Sequence, residues 1–145
     1  MIRGSLSHLD ITVSDLERSV EFYRRVLERL GYRPMDEIGA WAPCWSISDA
    51  DGSCFTIALK MAPPDKRSIK HDRYAPGLHH FAVHVDSRDD VDQFHDFLMG
   101  LGTTILDPPG EYDYTPGYYA VFIADPDGLK VEAVFELKLR GQAAR

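Results

Sequence analysis

The strongest constraint on the fold of this chain is an internal repeat. Residues 6–13 read LSHLDITV, and residues 78–85 read LHHFAVHV, 72 positions further along. Apolar and polar residues alternate in both segments, which is typical of a β-strand with one buried face. Two copies of one unit must each bury the same apolar face, so the repeat restricts the architecture before any other element is assigned.

A helix is predicted after each of these strands. Ser14-Asp15-Leu16-Glu17 has the form of a capping box, and apolar residues follow it at helical spacing up to Gly31. The second copy begins near Asp86-Ser87 and stops at Gly102. Three strand-sized segments come next in each half, at 33–38, 41–48 and 53–60, and at 103–106, 118–124 and 129–137. Each half therefore reads βαβββ.

The predicted fold class is α+β, with two paired βαβββ modules forming a curved mixed sheet around a cavity. The first module covers residues 1–60 and the second covers residues 78–145, including a C-terminal tail. Residues 61–77 are rich in Pro, Lys and Arg and are interpreted as a linker. The turn-forming pairs Asp51-Gly52 and Asp127-Gly128 precede the last strand of each module.

Charge and hydropathy narrow the classes of partner. The formal net charge is −7 and the basic residues form no stripe, so nucleic acid and anionic membranes are not expected partners. No apolar stretch reaches the roughly 18 residues of a membrane span, and the polar start lacks a signal-peptide core, so we expect a cytoplasmic protein. Cys44 and Cys54 are interpreted as reduced thiols. A small molecule is the expected ligand.

Strand alternation assigns polar side chains to one face of each predicted sheet. Opposite the apolar face, it places His8, Asp10 and Thr12 on the first strand, His80, Ala82 and His84 on the fifth, and Lys130, Glu132 and Val134 on the last. His80, rather than His79, is therefore the counterpart of His8 in the repeat.

A divalent metal site is predicted on this face. Glu132 is a carboxylate in the middle of a strand, where an unpaired charge costs several kcal/mol if it is buried. His8 and His80 occupy equivalent repeat positions, and two imidazoles with one carboxylate form a facial triad that suits Fe, Mn, Ni or Zn. A metal is the only cofactor that the sequence predicts.

These segments resemble the vicinal oxygen chelate superfamily, which includes glyoxalases, extradiol dioxygenases, fosfomycin-resistance transferases and bleomycin-binding proteins. The resemblance rests on SHLDITVSDL at 7–16, Phe22-Tyr23, HHFAV at 79–83 and DPDGLKVE at 125–132. It implies paired modules around a metal held by His8, His80 and Glu132. It also implies a metal-dependent lyase, transferase or dioxygenase, or alternatively a metal-free binding protein of the bleomycin-resistance type, commonly as a homodimer.

The chain departs from several members that it resembles. In glyoxalase I and methylmalonyl-CoA epimerases, the first-repeat position that corresponds to Glu132 is Glu or Gln. The motif alignment places Thr56 at this position in the present chain, and a threonine cannot act as a base near neutral pH. Extradiol dioxygenases have Tyr where this chain has Phe122, although Tyr118 or Tyr119 is a possible substitute. Fosfomycin-resistance transferases have Thr where this chain has Asp10. The reaction is therefore left open.

Further residues are candidates for roles around the metal. Asp10, His84 and Tyr118 are candidate catalytic groups for proton transfer. Aromatic residues are plentiful, and several are candidates to line a cavity: Trp41, Trp45, Tyr112, Tyr114, Tyr118 and Tyr119. The segment 107–117 is long for a hairpin connection and is interpreted as a lid or a plain surface loop.

Overall fold

The computed structural model describes residues 3–35, 43–48, 50 and 52–137. The chain divides into two compact units, residues 1–71 and 72–145. The first unit contains β1 (His8–Val13), α1 (Leu16–Arg29), β2 (Arg33–Pro34), β3 (Cys44–Ser48) and β4 (Cys54–Met61). The second contains β5 (His80–His84), α2 (Arg88–Gly100), β6 (Thr104–Glu111), β7 (Tyr119–Ala124) and β8 (Lys130–Phe135).

Both units have the same sheet topology. The strand order is β1-β4-β3-β2 in the first unit and β5-β8-β7-β6 in the second. In each sheet the first strand pairs with the last in parallel, and the other pairs are antiparallel. The prediction of an α+β fold built from two βαβββ modules is therefore confirmed.

Each helix covers one face of its own sheet. In the first unit α1 packs against β4, and Tyr23, Val26 and Leu27 of the helix are buried. In the second unit α2 packs against β6, β7 and β8 through a buried apolar stripe of Val91, Phe94 and Leu98. Each of these side chains contributes about 1.5–3 kcal/mol through burial. The opposite face of each sheet carries the polar residues singled out above.

The first helix begins one residue later than the capping box predicts. Its N-cap is Asp15, whose Oδ1 accepts a hydrogen bond from the Arg18 backbone N–H at 3.0 Å. Ser14 instead accepts a hydrogen bond from the Arg18 guanidinium at 3.0 Å. In the second unit Ser87 caps α2, close to the predicted start. Both Ser and Asp are good N-caps, so the sequence alone does not separate two adjacent candidates.

The connection predicted over 107–117, as a lid or a plain surface loop, is shorter than predicted because β6 continues to Glu111. Its pairing with β7 shifts register between Ile105 and Asp107 and again between Asp107 and Gly110. Pro108 and Pro109 lie inside this second irregularity, on the edge strand of the sheet. Proline is tolerated in a sheet at such positions because no ladder hydrogen bond is required of it there.

The turn before β8 determines how that strand enters the sheet. Asp125 Oδ1 accepts hydrogen bonds from the backbone N–H groups of Asp127 at 2.9 Å and Leu129 at 2.8 Å. Gly128 has a φ of +91°, a conformation that strongly favours glycine. Because this turn holds Leu129 in place, it sets the register that puts Glu132 opposite Phe122.

Some sequence predictions fall outside the described residues. These are Trp41, Asp51, residues 36–38 and 41–42 of the predicted strands, and residues 138–145 of the C-terminal tail. Cys44 and Cys54 are both free thiols. Neither helix in the described part of the chain is long and apolar enough to cross a membrane.

The position of the first N-cap can be tested with two neighbouring variants. Asp15→Ala should lower the free energy of unfolding by about 1 kcal/mol, because it removes the acceptor for a helix N–H. Ser14→Ala should lower it by only a few tenths of a kcal/mol, since its partner is an exposed side chain. Urea unfolding followed by circular dichroism gives both values. A larger effect at Ser14 would contradict the assigned cap.

Candidate metal centre

The candidate site is centred on Glu132 in the middle of β8. Its neighbours Val131 and Ala133 are buried on the helix side, whereas Glu132 lies on the other face between Ala82 of β5 and Phe122 of β7. The residue is 1% exposed. A carboxylate at this depth needs partners for its charge, because leaving it unpaired costs several kcal/mol.

Two side chains contact the two oxygens of this carboxylate. The Tyr118 hydroxyl donates to Glu132 Oε1 at 2.5 Å. His80 Nε2 lies 3.2 Å from Oε2. The structure therefore brings together three of the predicted site residues: the ligand candidates His80 and Glu132 and the candidate catalytic residue Tyr118.

A second histidine supports His80, and the sequence reasoning missed it. The Nδ1 atoms of His79 and His80 are 2.7 Å apart, so one ring donates a hydrogen bond and the other accepts it. If Nε2 of His80 binds a metal, its Nδ1 must carry the proton and donate to His79. His79 precedes the first residue of β5, where strand alternation no longer predicts the direction of a side chain.

The local environment keeps Tyr118 protonated. Burial raises the pKa of its phenol, and the hydrogen bond to the Glu132 carboxylate raises it further. A phenol with a raised pKa is a hydrogen-bond donor at neutral pH and is poorly suited to abstract a proton. Tyr118 is therefore placed to orient Glu132 rather than to act as a base.

Aromatic rings surround the carboxylate on this face of the second unit. The Tyr112 ring is stacked on Tyr114 with centroids 5.8 Å apart, and it meets Phe122 edge-on at 5.1 Å. Tyr114 in turn contacts Tyr118 at 5.2 Å. Tyr119 lies on the opposite face, where its hydroxyl donates to Asp92 of α2 at 2.9 Å. Tyr112, Tyr114 and Tyr118 thus line the candidate site, and Tyr119 does not.

The remaining aromatic candidate among the described residues belongs to the first core. Trp45 pairs with Ile57, which is fully buried, on the helix side of the first sheet. Trp45 itself is 3% exposed. It is therefore a core residue and not part of a cavity wall on the polar face.

The candidates in the first unit lie on the polar face of β1. His8 is exposed, with Nδ1 3.4 Å from Ser7 Oγ. The Asp10 carboxylate forms a salt bridge with Lys60 at 3.1 Å. In the second unit His84 is 75% exposed at the far end of β5, and its ring lies 3.9 Å from the Glu136 carboxylate. None of these contacts involves Glu132.

Strand register corrects the position aligned with Glu132 in the first repeat. Glu132 pairs with Ala82, whose counterpart in β1 is Asp10, and Asp10 pairs with Ala58. The structural equivalent of Glu132 is therefore Ala58 rather than Thr56. Alignment of the motifs missed this, because relative to its parallel partner the last strand is shifted by two residues between the two units. Neither residue supplies a carboxylate or an amide, so the predicted absence of a fourth ligand stands at both positions.

The structure thus assembles two of the three predicted ligands. In the ranges it describes, no three His, Cys, Asp or Glu side chains are grouped as a metal site. His8 belongs to the first unit, and its participation with His80 and Glu132 stays a prediction.

Comparison with known proteins identifies relatives across nearly the whole chain. The uncharacterized protein YqjT of Bacillus subtilis is 34% identical over 134 residues, which are 89% of this chain and 97% of that protein. A 2-epi-5-epi-valiolone epimerase from an Actinomyces species is 28% identical, over 90% of this chain and 78% of that protein. The crystal structure of a candidate glyoxalase from Bacillus halodurans matches with a TM-score of 0.76 and 29% identity, covering 91% of this chain and 96% of that one.

A family model spans most of both units. Residues 5–133 match the model described as the Glyoxalase/Bleomycin resistance protein/Dioxygenase superfamily. This range includes the two βαβββ repeats and the residues His8, His80 and Glu132. The resemblance drawn from the sequence motifs is confirmed, and the chain belongs to the glyoxalase/bleomycin resistance protein/dioxygenase superfamily.

Proposed function

We propose that this protein is a divalent-metal-dependent enzyme of the vicinal oxygen chelate type that acts on a small oxygen-rich substrate. The observation that carries the proposal is the buried Glu132 carboxylate with the His80 imidazole 3.2 Å away. His80, Glu132 and the equivalent repeat residue His8 are the proposed ligands. Fe, Mn, Ni and Zn are the candidate metals for such a nitrogen and oxygen donor set.

The residues present fit a cation. Glu132 is buried, and its described partners are a neutral phenol and an imidazole that is charged only when protonated. A divalent ion would neutralise the carboxylate more completely than either partner does. The His79–His80 contact would hold the imidazole in the orientation and tautomer that metal ligation needs.

When bound, the metal would act as a Lewis acid and stabilise negative charge on a substrate oxygen. The chain's own groups would do the rest. Tyr118 keeps its proton and holds Glu132 through Oε1. Tyr112 and Phe122 present apolar ring surface beside the carboxylate and would exclude water from bound substrate.

Asp10 is the favoured candidate for proton transfer. The name of the relative from Actinomyces specifies an epimerase, and a carbon next to a carbonyl can be epimerised by removing its proton and returning one to the other face. In this chain the position equivalent to Glu132 is Ala58, but Asp10 pairs directly with Ala58 on the neighbouring strand. A carboxylate is therefore available one strand away from the position where the resembled isomerases have theirs. His84, which is far more exposed, is the second candidate.

Metal binding is the first test of this proposal. Protein purified without chelator should contain close to one divalent metal per chain by elemental analysis. The triple variant His8→Ala, His80→Ala, Glu132→Ala should contain none, because it lacks every proposed ligand. His84→Ala is the matched control, because His84 lies on the same strand as His80, and it should retain the metal. His79→Ala should also retain the metal but bind it more weakly.

Metal content below stoichiometry that added Mn, Fe, Ni or Zn does not restore would contradict the metal proposal. It would favour the alternative function, a metal-free protein that binds or sequesters a small molecule. The ring cluster of Tyr112, Tyr114 and Phe122 is the feature that would serve such a protein.

The role of Tyr118 can be isolated with an adjacent pair of tyrosines. Tyr118→Phe removes the donor to Glu132 and should weaken metal binding by roughly tenfold, as loss of a hydrogen bond to a ligating group typically does. Tyr119→Phe removes a hydroxyl on the opposite face and should leave metal affinity unchanged. Competition with a metal-binding dye measures both. Equal affinities in the two variants would show that Tyr118 does not orient the ligand.

We also propose a homodimer, as the family resemblance implies, with His8 of one chain beside His80 and Glu132 of the other. Ligands drawn from two chains would add metal-binding free energy only to the assembled state. Sedimentation should therefore show a dimer whose dissociation constant rises when chelator removes the metal. A monomer at micromolar concentration that still holds its metal would contradict the shared site.

A further inference from the structure

We infer that Lys130 binds a carboxylate group of the substrate, so that the substrate class is a small monocarboxylate that also carries two neighbouring oxygens. The inference rests on the proposed function for the position of the metal. Lys130 lies on the same strand as Glu132, two residues earlier, and therefore on the same face of the sheet. It also pairs with His80 in the parallel register.

Contacts on the neighbouring strands hold the Lys130 side chain over this face. Its Nζ lies 3.8 Å from the centroid of the Phe122 ring, and the side chain is only 15% exposed. Phe122 is the residue that pairs with Glu132, and its ring also makes an edge-to-face contact with the His80 ring, with centroids 6.3 Å apart. The ammonium is thus anchored by a cation–π contact against a ring that borders both proposed ligands.

The ammonium retains donors for a ligand. Among the described residues its hydrogen-bond partner is Asp107 Oδ2, at 3.4 Å, and Asp107 is 50% exposed. An ammonium group has three donors, and a long bond to a half-exposed carboxylate satisfies one of them weakly. A substrate carboxylate that excludes water would form shorter, charge-assisted hydrogen bonds with the others.

The fold itself does not require a lysine at this position. In the first unit the residue in the same register is Thr56, which pairs with His8 as Lys130 pairs with His80. Lysine is disfavoured in strands, and its burial costs free energy. A cation present in one repeat and absent from the other indicates a role that belongs to the site rather than to the βαβββ framework.

Charge balance favours a monoanion over a phosphate. With a divalent metal bound, the metal and Lys130 would together carry one more positive charge than the Glu132 and Asp107 carboxylates carry negative charge. A carboxylate matches that excess, whereas a phosphate monoester at neutral pH carries more charge than the site offsets, in a chain whose net charge is already −7. The adjacent Phe122 and Tyr112 rings suit a planar or apolar body between the carboxylate and the two oxygens.

A matched pair of probes separates the carboxylate from the rest of the ligand. Catechol and 3,4-dihydroxybenzoate share two vicinal oxygens and an aromatic ring, and only the second has a carboxylate. Isothermal titration of the purified protein, with metal content measured on the same sample, should show about tenfold tighter binding of 3,4-dihydroxybenzoate. Lys130→Met should abolish this preference, and Lys130→Arg should keep most of it.

Two further variants make the result specific. Lys66→Met is the control, because Lys66 is 60% exposed and lies 3.6 Å from Asp65 in a surface turn, so the preference should be unchanged. Asp107→Asn removes the competing carboxylate and should increase the preference without altering the Lys130 side chain itself. This variant tests the inference even if Lys130→Met proves unstable.

Equal affinity of the wild type for the two probes, including no binding of either, would overturn the inference. So would a preference that survives Lys130→Met, or one that falls in Asp107→Asn. The metal measurement keeps the two proposals distinct. If the protein cannot hold a metal but still prefers the carboxylate probe in a way that depends on Lys130, the role of Lys130 would be supported and the metal proposal contradicted.

Discussion

The burial of one carboxylate organises the candidate site. Glu132 is 1% exposed in a strand whose neighbouring residues form the second core. Tyr118 and His80 contact its two oxygens and give this buried carboxylate the polar partners that it needs. These contacts constrain two other parts of the unit. The hairpin between β6 and β7 must bring Tyr118 over β8, and the start of β5 must place His80 beside Glu132. The polar face of the second sheet is arranged around the need to satisfy this one group.

The two repeats have the same topology but different chemistry at equivalent positions. Where the second unit has Ala82, Glu132 and Lys130, the first has Asp10, Ala58 and Thr56. The second unit therefore buries Glu132 fully and Lys130 for the most part, whereas the Asp10–Lys60 pair of the first unit remains largely exposed. Exposed pairs contribute about 0–1 kcal/mol, so little stability depends on them.

Much of the fold and the centre of the site could be predicted from the sequence, because both follow from period-two alternation in repeated strands. That pattern predicted the βαβββ order and placed His80 and Glu132 on one face, and the structure has them within 3.2 Å. Properties set by tertiary contacts could not be predicted. His79, which contacts His80, lies before the strand begins, and the Lys130–Phe122 contact depends on which residues of β7 and β8 pair. The equivalence of Glu132 with Ala58 likewise needed the register, because the motif alignment placed it two residues away.

Register also determines the different contacts of two adjacent tyrosines. Tyr118 and Tyr119 are consecutive, yet one hydroxyl reaches Glu132 and the other reaches Asp92 on the helix side. A slip of one residue in β7 would exchange their faces and remove the Tyr118 donor from Glu132, leaving His80 as the described partner of a buried carboxylate. Two local features oppose such a slip: the backbone bond from Tyr112 N–H to the Tyr118 carbonyl at 3.1 Å, and the Asp125 turn at the other end of the strand. The irregular pairing near Pro108 and Pro109 lies between these two anchors but on the edge strand β6, and the pairing of β7 with β8 that puts Glu132 opposite Phe122 stays regular beside it.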